Sequence, residues 1–552
     1  MKRLSRQAAV SLLFAAACGG RAELETSPYE SLGSAGASAS NGRAGAPTVG
    51  KGGGSSRGGA GPSYPSGGTF STGGTFSGGT FSASGTFDTG GSVPISGTFG
   101  VAGSFPIAGS FGVAGSATAQ AGEAGVAGAG GAAPVLAQAV VQVAAGLFHV
   151  CILGALGDVK CWGAGDHGAL GYGTTESLGD NERLPHVAAV DIEDDASEVV
   201  EQIVAGGYHT CVLLTNGTVK CWGENSDGQL GYGDVQEGRG STSVPASFGT
   251  VQVSASDAVT VQSLCAGEKH TCALLSDGSV KCWGSNALGQ LGYGNAARVG
   301  AALTPAEVAP VSLASQRKVS QIACGANHTC AVTLDGMVQC WGDNQTGQLG
   351  LGNLANVGDD EKPDSVAPIS IDADASVTAQ QVVAGNSHTC IWASNETVRC
   401  WGVASALGIQ ASQDIGDTEL PASVGPVRLT ESTDNVRPVA LSAGSFHTCA
   451  LFNTGELKCW GRNDFGELGQ GDLASIGIDN DPADVAMVAV DVPGVTKVSA
   501  FAAGNYLTCA AAVDPESFYC WGWNEYGQLG RGDTFTLGDD EPPTSEGPLE
   551  LF

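Results

Sequence analysis

A sevenfold repeat constrains this chain more than any other feature. The wording A-G-x-x-H-T-C, an apolar stretch, D-G-x-V, C-W-G and N-x-x-G-Q-L-G-x-G recurs along the sequence. Its first cysteine falls at Cys151, Cys211, Cys272, Cys330, Cys390, Cys449 and Cys509, in steps of 58 to 61 residues. So regular a period means stacked or circular copies of one unit that cannot bury a core alone. Each unit opens with a short alternating apolar segment, such as Val140-Val141-Gln142-Val143, then runs through His-Thr-Cys, a turn and Val-Lys-Cys-Trp. Strand, turn, strand with glycine punctuation is an all-β pattern. The unit tails (Val187 to Ile192, Val311 to Leu313, Ile369 to Ile371, Val427 to Leu429, Leu549 to Leu551) read as a fourth strand. The last copy ends the chain and none precedes the first unit, so the C-terminal strand is expected to close a ring by joining the sheet of early residues.

The turn sets a register. Ser276-Asp277-Gly278 between Leu275 and Ser279 reads as a three-residue hairpin loop. It pairs 275 with 279 and places Cys272 opposite Cys282. A non-hydrogen-bonded pair brings Cα atoms to about 4.5 Å, within disulfide range. The same spacing pairs Cys151 with Cys161, Cys211 with Cys221, Cys330 with Cys340, Cys390 with Cys400 and Cys449 with Cys459. With one extra residue it also pairs Cys509 with Cys520. Each staple contributes roughly 2–3 kcal/mol if it acts on the entropy of the unfolded chain. Cys265 and Cys324 lie outside these pairs, on the innermost strands of adjacent units. A bond between units and two buried thiols both fit.

Charge narrows the partners. The net charge is −31, with 55 acidic against 24 basic residues. That argues against nucleic acid and against anionic membrane surfaces. It suits an extracellular surface. Lys2, Arg3 and Arg6 precede an apolar run from Ala8 to Ala17 that is too short to span a bilayer. Ala15-Ala16-Ala17-Cys18-Gly19 resembles a bacterial lipoprotein lipobox, although Ala15 stands where leucine is favoured. Residues 1–18 are therefore expected to be a signal peptide with Cys18 lipidated; simple cleavage after Ala17 is the alternative. Setting Cys18 aside leaves sixteen cysteines, an even number that fits an oxidising compartment. Residues 19–133 are rich in Gly, Ser, Thr and Ala, with Phe70, Phe76, Phe81, Phe87, Phe99, Phe105 and Phe111 at intervals. Such a segment is expected to be a disordered tether spanning on the order of 60 Å. Residues 134–552 are expected to fold. The chain is expected to be an exported, outer-membrane or cell-surface lipoprotein, otherwise secreted, and a monomer.

The motif A-G-x-x-H-(S/T), D-G-x-(V/L), W-G-x-N-x-x-G-Q-L-G resembles the regulator of chromosome condensation repeat family. The resemblance covers about 420 residues and is best at Asn225 to Gly231, Asn286 to Gly292 and Asn344 to Gly350. It implies a seven-bladed β-propeller. The fifth unit departs, with Val403-Ala404-Ser405-Ala406-Leu407-Gly408, and the seventh has Leu507 where histidine is expected. The cysteine pairs are not part of the eukaryotic pattern. Some members of the family are guanine-nucleotide exchange factors that bind chromatin; secreted bacterial ones include inhibitors that clamp β-lactamases with one face.

Repeated residues read first as scaffold. His149, His209, His270, His328, His388 and His447 each precede a cysteine by two positions. With Cys272 and Cys282, His270 makes three zinc-type ligands, but the family keeps the histidine without the cysteines, which implies packing. The repeat tryptophans read as core. Trp392 and Trp523 break the repeat and are the candidate binding residues. Acidic loops place Asp180 and Glu182, Asp359 and Asp360, and Asp539 and Asp540 as candidate calcium ligands, in a spacing unlike a known calcium loop. Nucleophile elbow, phosphate loop and zinc-protease motifs are missing from the sequence, so no enzyme and no cofactor other than calcium is expected. The reading is a non-enzymatic, envelope-tethered module that binds a protein or an envelope glycan through loops of one propeller face. The alternatives are inhibition of an extracellular hydrolase and glycan adhesion, the latter favoured by aromatics exposed on one face. Exchange activity, by family analogy, conflicts with export.

Overall fold

The computed structural model describes residues 139–192, 198–430, 436–478, 480–486, 497–513 and 516–551. The expected signal segment with Cys18, and the tether, lie outside them. Among the described residues, seven three-stranded antiparallel sheets follow one another along the chain. They comprise β1 (Val140–Ala145), β2 (His149–Gly154), β3 (Val159–Gly163); β4 (Val200–Ala205), β5 (His209–Leu214), β6 (Val219–Gly223); and β7 (Val261–Ala266), β8 (His270–Leu275), β9 (Val280–Gly284). The fourth and fifth are β10 (Val319–Cys324), β11 (His328–Thr333), β12 (Val338–Gly342), and β13 (Ala379–Ala384), β14 (His388–Ala393), β15 (Val398–Gly402). The last two are β16 (Pro438–Ala443), β17 (His447–Phe452), β18 (Leu457–Gly461), and β19 (Lys497–Ala503), β20 (Leu507–Val513), β21 (Ser517–Gly522). Among the described residues the helical pieces are single 3-10 turns, several opened by proline, as at Pro245–Ser247. None is long and apolar enough to cross a membrane.

The sheets are the blades of a closed seven-bladed propeller. Around the axis, backbone N–H groups of one blade donate to carbonyls of the next. Leu147 donates to Gly206, Gly207 to Glu268, Glu268 to Ala326 and Ala326 to Gly385. Asn386 donates to Ser445 and Ser445 to Gly504; Asn505 returns to Gly146 at 3.3 Å and closes the ring. The turn passes so near its neighbour that a Cβ on Gly206 would run into His209 and the Gly267 carbonyl. That is why glycine precedes the histidine.

Side chains knit the same seams. His209 Nε2 lies 2.9 Å from Thr271 Oγ1, and the Thr271 hydroxyl donates to the Gln229 carbonyl. Because the hydroxyl proton is committed there, the imidazole must be the donor to Oγ1. Six His–Thr pairs of this kind cross blade interfaces. At the seventh seam, between the last blade and the first, Leu507 and Val150 occupy the two positions, both buried. An entire polar pair is exchanged there for an apolar one, which leaves no buried group unsatisfied.

A second clamp uses glutamine on the innermost strand. Gln142 exchanges two hydrogen bonds with the Ile203 backbone, both 2.9 Å, and Gln202 does the same with Leu264. Gln321 and Gln381 repeat it. The third blade has Ser263 in that place. There a disulfide from Cys265 to Cys324, with Cα atoms 5.5 Å apart, joins the third and fourth blades instead.

Within the blades, disulfides staple the hairpins. Cys151 is bonded to Cys161, Cys211 to Cys221, Cys272 to Cys282 and Cys330 to Cys340. Cys390 is bonded to Cys400, Cys449 to Cys459 and Cys509 to Cys520. The Cα separations are all 4.0 to 4.1 Å. That is slightly below the usual window, because the two cysteines of each pair stand directly opposite each other on neighbouring strands. In the third blade the register is set by the Ser276–Gly278 loop, where Gly278 has φ +77°. The seventh blade absorbs the extra residue of its turn and still sets Cys509 opposite Cys520.

The unit tails correct one expectation. Among the described residues they form no full fourth strand, and the C-terminal tail does not join the first blade's sheet. Leu549 N donates to Phe518 O of its own blade, as Val190 does to Val159 and Ile369 to Val338. The neighbour contributes a lysine: Lys220 Nζ donates to Ile192 O at 2.9 Å and Lys160 Nζ to Leu551 O at 2.6 Å. Each unit begins with its own innermost strand, so every blade is complete in itself. Closure needs only the seam that all blades share.

Candidate functional site

Seven similar blades provide an internal control: a side chain that serves the shared scaffold recurs in most of them. The repeat tryptophans (Trp162, Trp222, Trp283, Trp341, Trp401, Trp460, Trp521) are fully buried. Six donate through Nε1 to a carbonyl of the preceding blade, as Trp283 does to Gln229 O at 2.9 Å. Trp460 Nε1 is buried without a partner. The fifth unit faces it, and its loop from Trp401 to Leu407 is two residues shorter than Trp341 to Leu349. Burial pushes the six repeat imidazoles down to about 3 to 4, so they are neutral. The sulfurs of Cys272 and Cys282 are bonded to each other and offer no thiolate, and His270 Nε2 is engaged with Thr329.

What does not recur is an arc of aromatic rings on one face. Three positions of the unit supply it: the residue before the histidine, the residue after Cys-Trp-Gly, and a residue in the following loop. Phe446, Phe465, Tyr506, Trp523, Tyr526, Phe148 and Tyr208 come from the sixth, seventh, first and second blades. Phe148 stacks on Tyr208 with centroids 4.7 Å apart and meets Tyr526 edge-on at 5.7 Å. Trp523 sits at the centre, 5.9 Å from both Phe148 and Phe465 and 5.5 Å from Tyr526. Tyr506 links Phe465 to Phe446. His167, exposed, leans edge-on to Tyr208 at 5.6 Å. All seven arc rings are half-buried. Before the histidine, blades three to five carry Lys269, Asn327 and Ser387 instead.

The arc has an acidic margin. Tyr208 is held above its ordinary pKa, first by burial, then by Tyr526, Asp166, Glu224 and Glu268. Burial also raises Tyr506, with Asp464 and Glu467 reinforcing it and Arg462 opposing. Asp166, Asp464 and Glu525 are exposed. The guanidinium carbon of Arg462 lies 5.0 Å from the Phe446 ring centroid. Behind Phe465, Glu467 replaces the glutamine of four other units, Gln229, Gln290, Gln348 and Gln528. It is fully buried, accepts from Phe465 N at 2.8 Å and leaves Oε1 without a partner. Burial pushes its carboxyl up to about 7. The turns after the innermost strands of all seven blades line an axial cavity of about 100 Å³, walled by small residues and backbone such as Ala145, Gly206 and Gly385.

The remaining candidates fall elsewhere. Trp392 stands apart from the arc: on β14 it lies opposite Gln381 and Val398, half-buried and packed against the core. It shares a face with His388 and Cys390 because side chains alternate along a strand. The carboxylates of Asp359, Asp360 and Glu361 lie within 4.8 Å of one another, as do those of Asp539, Asp540 and Glu541. Burial, then Asp360, raises Glu361 to about 7. In the first unit Asn181 separates Asp180 from Glu182, and its N–H donates to Glu182. The glycine before the acids is a seam residue: Gly358 O accepts from Gly294 N of the preceding blade at 3.0 Å. Of the arc, sequence reasoning singled out only Trp523. Aligning the residue before each histidine shows Phe, Tyr, Lys, Asn, Ser, Phe, Tyr, a signal that appears only once the first and last units are treated as neighbours.

Comparison with known proteins agrees with this architecture. A profile of the RCC1-like domain matches residues 108–424, and regulator of chromosome condensation (RCC1) repeats match residues 439–467 and 517–546. The ultraviolet-B receptor UVR8 of Arabidopsis thaliana is 32% identical over 332 residues, covering 60% of this chain and 67% of its own. The secretion-regulating guanine nucleotide exchange factor of Bos taurus is 27% identical, covering 67% and 75%. The crystal structure of human WBSCR16 superposes with a TM-score of 0.54 at 23% identity, over 67% of this chain and 86% of that one, a likeness of fold. Repeat, closed ring and matched profile together make this chain a member of the RCC1-like domain family.

Proposed function

We propose that this propeller is a non-catalytic interaction module that captures a protein partner on the aromatic arc. One observation carries the reading: aromatic side chains are continuous across four adjacent blades and replaced in the other three, although the scaffold positions repeat nearly unchanged. Half-buried aromatics in a rigid setting are what an interface core requires. We further propose that the chain acts outside the cytosol, tethered through Cys18. The eight disulfides among the described residues support that setting, and they disfavour the exchange activity that one relative's name suggests. Inhibition of an extracellular hydrolase is one form such capture would take.

The test places a photo-cross-linking residue at Tyr526 on the arc, and separately at Asp277, on the hairpin turns at the opposite end of the strands. Both proteins are irradiated in the envelope fraction of the source cells. A protein adduct from position 526 and none from 277 supports the reading. Adducts from 277 alone refute it, and a glycan adduct at 526 replaces the protein partner with a carbohydrate.

A further inference from the structure

Deepening that reading, we propose that the arc receives a cationic side chain, the lysine or arginine of a basic segment in the partner. Three features converge on this chemistry. Ring faces carry negative charge density that attracts ammonium and guanidinium groups. One cation of the chain already uses the arc this way, since Arg462 lies over Phe446 at 5.0 Å. The margin supplies carboxylates: Asp166 beside His167, Glu268 within electrostatic reach of Tyr208, and exposed Glu525 beside Tyr526, while Asp464 pairs with Arg462. With a net charge of −31, the chain also steers basic partners toward itself over a long range. An acidic or uncharged apolar partner would meet that margin without compensation.

The experiment uses the full oxidised chain and two capped synthetic peptides, one lysine-rich and one of the same sequence with every lysine acetylated. Affinity is read by titration calorimetry, together with the part of the tryptophan fluorescence change that Trp523→Ser abolishes. The unmodified peptide should bind about tenfold or more tightly than the acetylated one, the range that a partly desolvated cation on aromatic faces commands. Trp523→Ser, which installs the residue of the third unit (Ser285), should lower the affinity about tenfold. Phe148→Ser, which installs the residue of the fifth unit (Ser387), provides an independent second variant. Asp277→Asn on the opposite face, which copies Asn216, should leave it unchanged. Equal binding of the two peptides overturns the proposal. So does full affinity in both arc variants, which would assign the binding to the acidic surface at large. If position 526 cross-links a partner while the peptides bind alike, the interaction face stands and its cationic preference falls.

Discussion

Glutamine at position 467 would restore in the sixth blade the residue that four other units carry there. Glu467 is fully buried, and its carboxyl is raised from 4.5 to about 7 chiefly by burial. A difference of that size between unfolded and folded states corresponds to about 3 kcal/mol. The sign follows from proton binding. The folded state holds the proton more tightly, so below about pH 4.5 both states are protonated and the site is neutral in its effect. From pH 4.5 up to about 7 unfolding releases the proton that the folded state still holds, so stability falls across this window; above it the folded state carries a buried charge and the loss is complete. Glu467→Gln removes that burden. Its new Nε2 can end unpartnered, as in Gln229 and Gln528, at a cost of about 1 kcal/mol. The net expectation is a gain of about 2 kcal/mol at pH 8 and none, or a small loss, at pH 4. Urea unfolding of the oxidised chain at about pH 4, 6 and 8, followed by tryptophan fluorescence, measures it. An equal effect at the acidic and alkaline ends would refute the reasoning, because desolvation of a carboxylate cannot be independent of pH.

Three further outcomes test the seams between blades. Leu507→His alone should destabilise by about 1–3 kcal/mol, since the new imidazole would face Val150; adding Val150→Thr should recover about 1 kcal/mol in a double-mutant cycle read by denaturant unfolding. Trp460→Phe should cost about 1 kcal/mol less than Trp222→Phe, because Trp460 Nε1 has no acceptor to lose whereas Trp222 donates to Ala169; equal losses would contradict the assignment. Replacing Cys265 and Cys324 together by alanine should cost about 4 kcal/mol, against about 3 for a hairpin pair, since the bond closes a 59-residue rather than a 10-residue loop. Thermal melts of the two double variants, with the reduced chain as a common baseline, decide that order.

Much of the blade was legible from local spacing. The Ser276–Gly278 turn fixes which residues stand opposite each other within one hairpin, and therefore the Cys272–Cys282 pair, because no more than ten residues separate the partners. The sevenfold period, the all-β class and the burial of the repeat tryptophans follow from the same short-range pattern. Trp392 and Trp523 both depart from the repeat, but Trp392 stands within a strand and packs against the core, whereas Trp523 follows Cys-Trp-Gly and joins the arc.

What lay beyond the sequence depends on which units touch. Polar pairs such as His209–Thr271 join residues about sixty positions apart, and their meaning appears only when one blade is set against the next. The fourth-strand closure was misread because tails resemble strands, whereas the ring is sealed by a seam common to every blade. The aromatic arc is the clearest case. Phe148 and Trp523 stand at opposite ends of the folded region, and only circular closure brings their rings to 5.9 Å. Sequence determined the unit, because hydrogen-bond register and hydrophobic alternation are local. Tertiary structure decided the site, because a surface is built from neighbours in space, and the ring makes the last blade adjacent to the first.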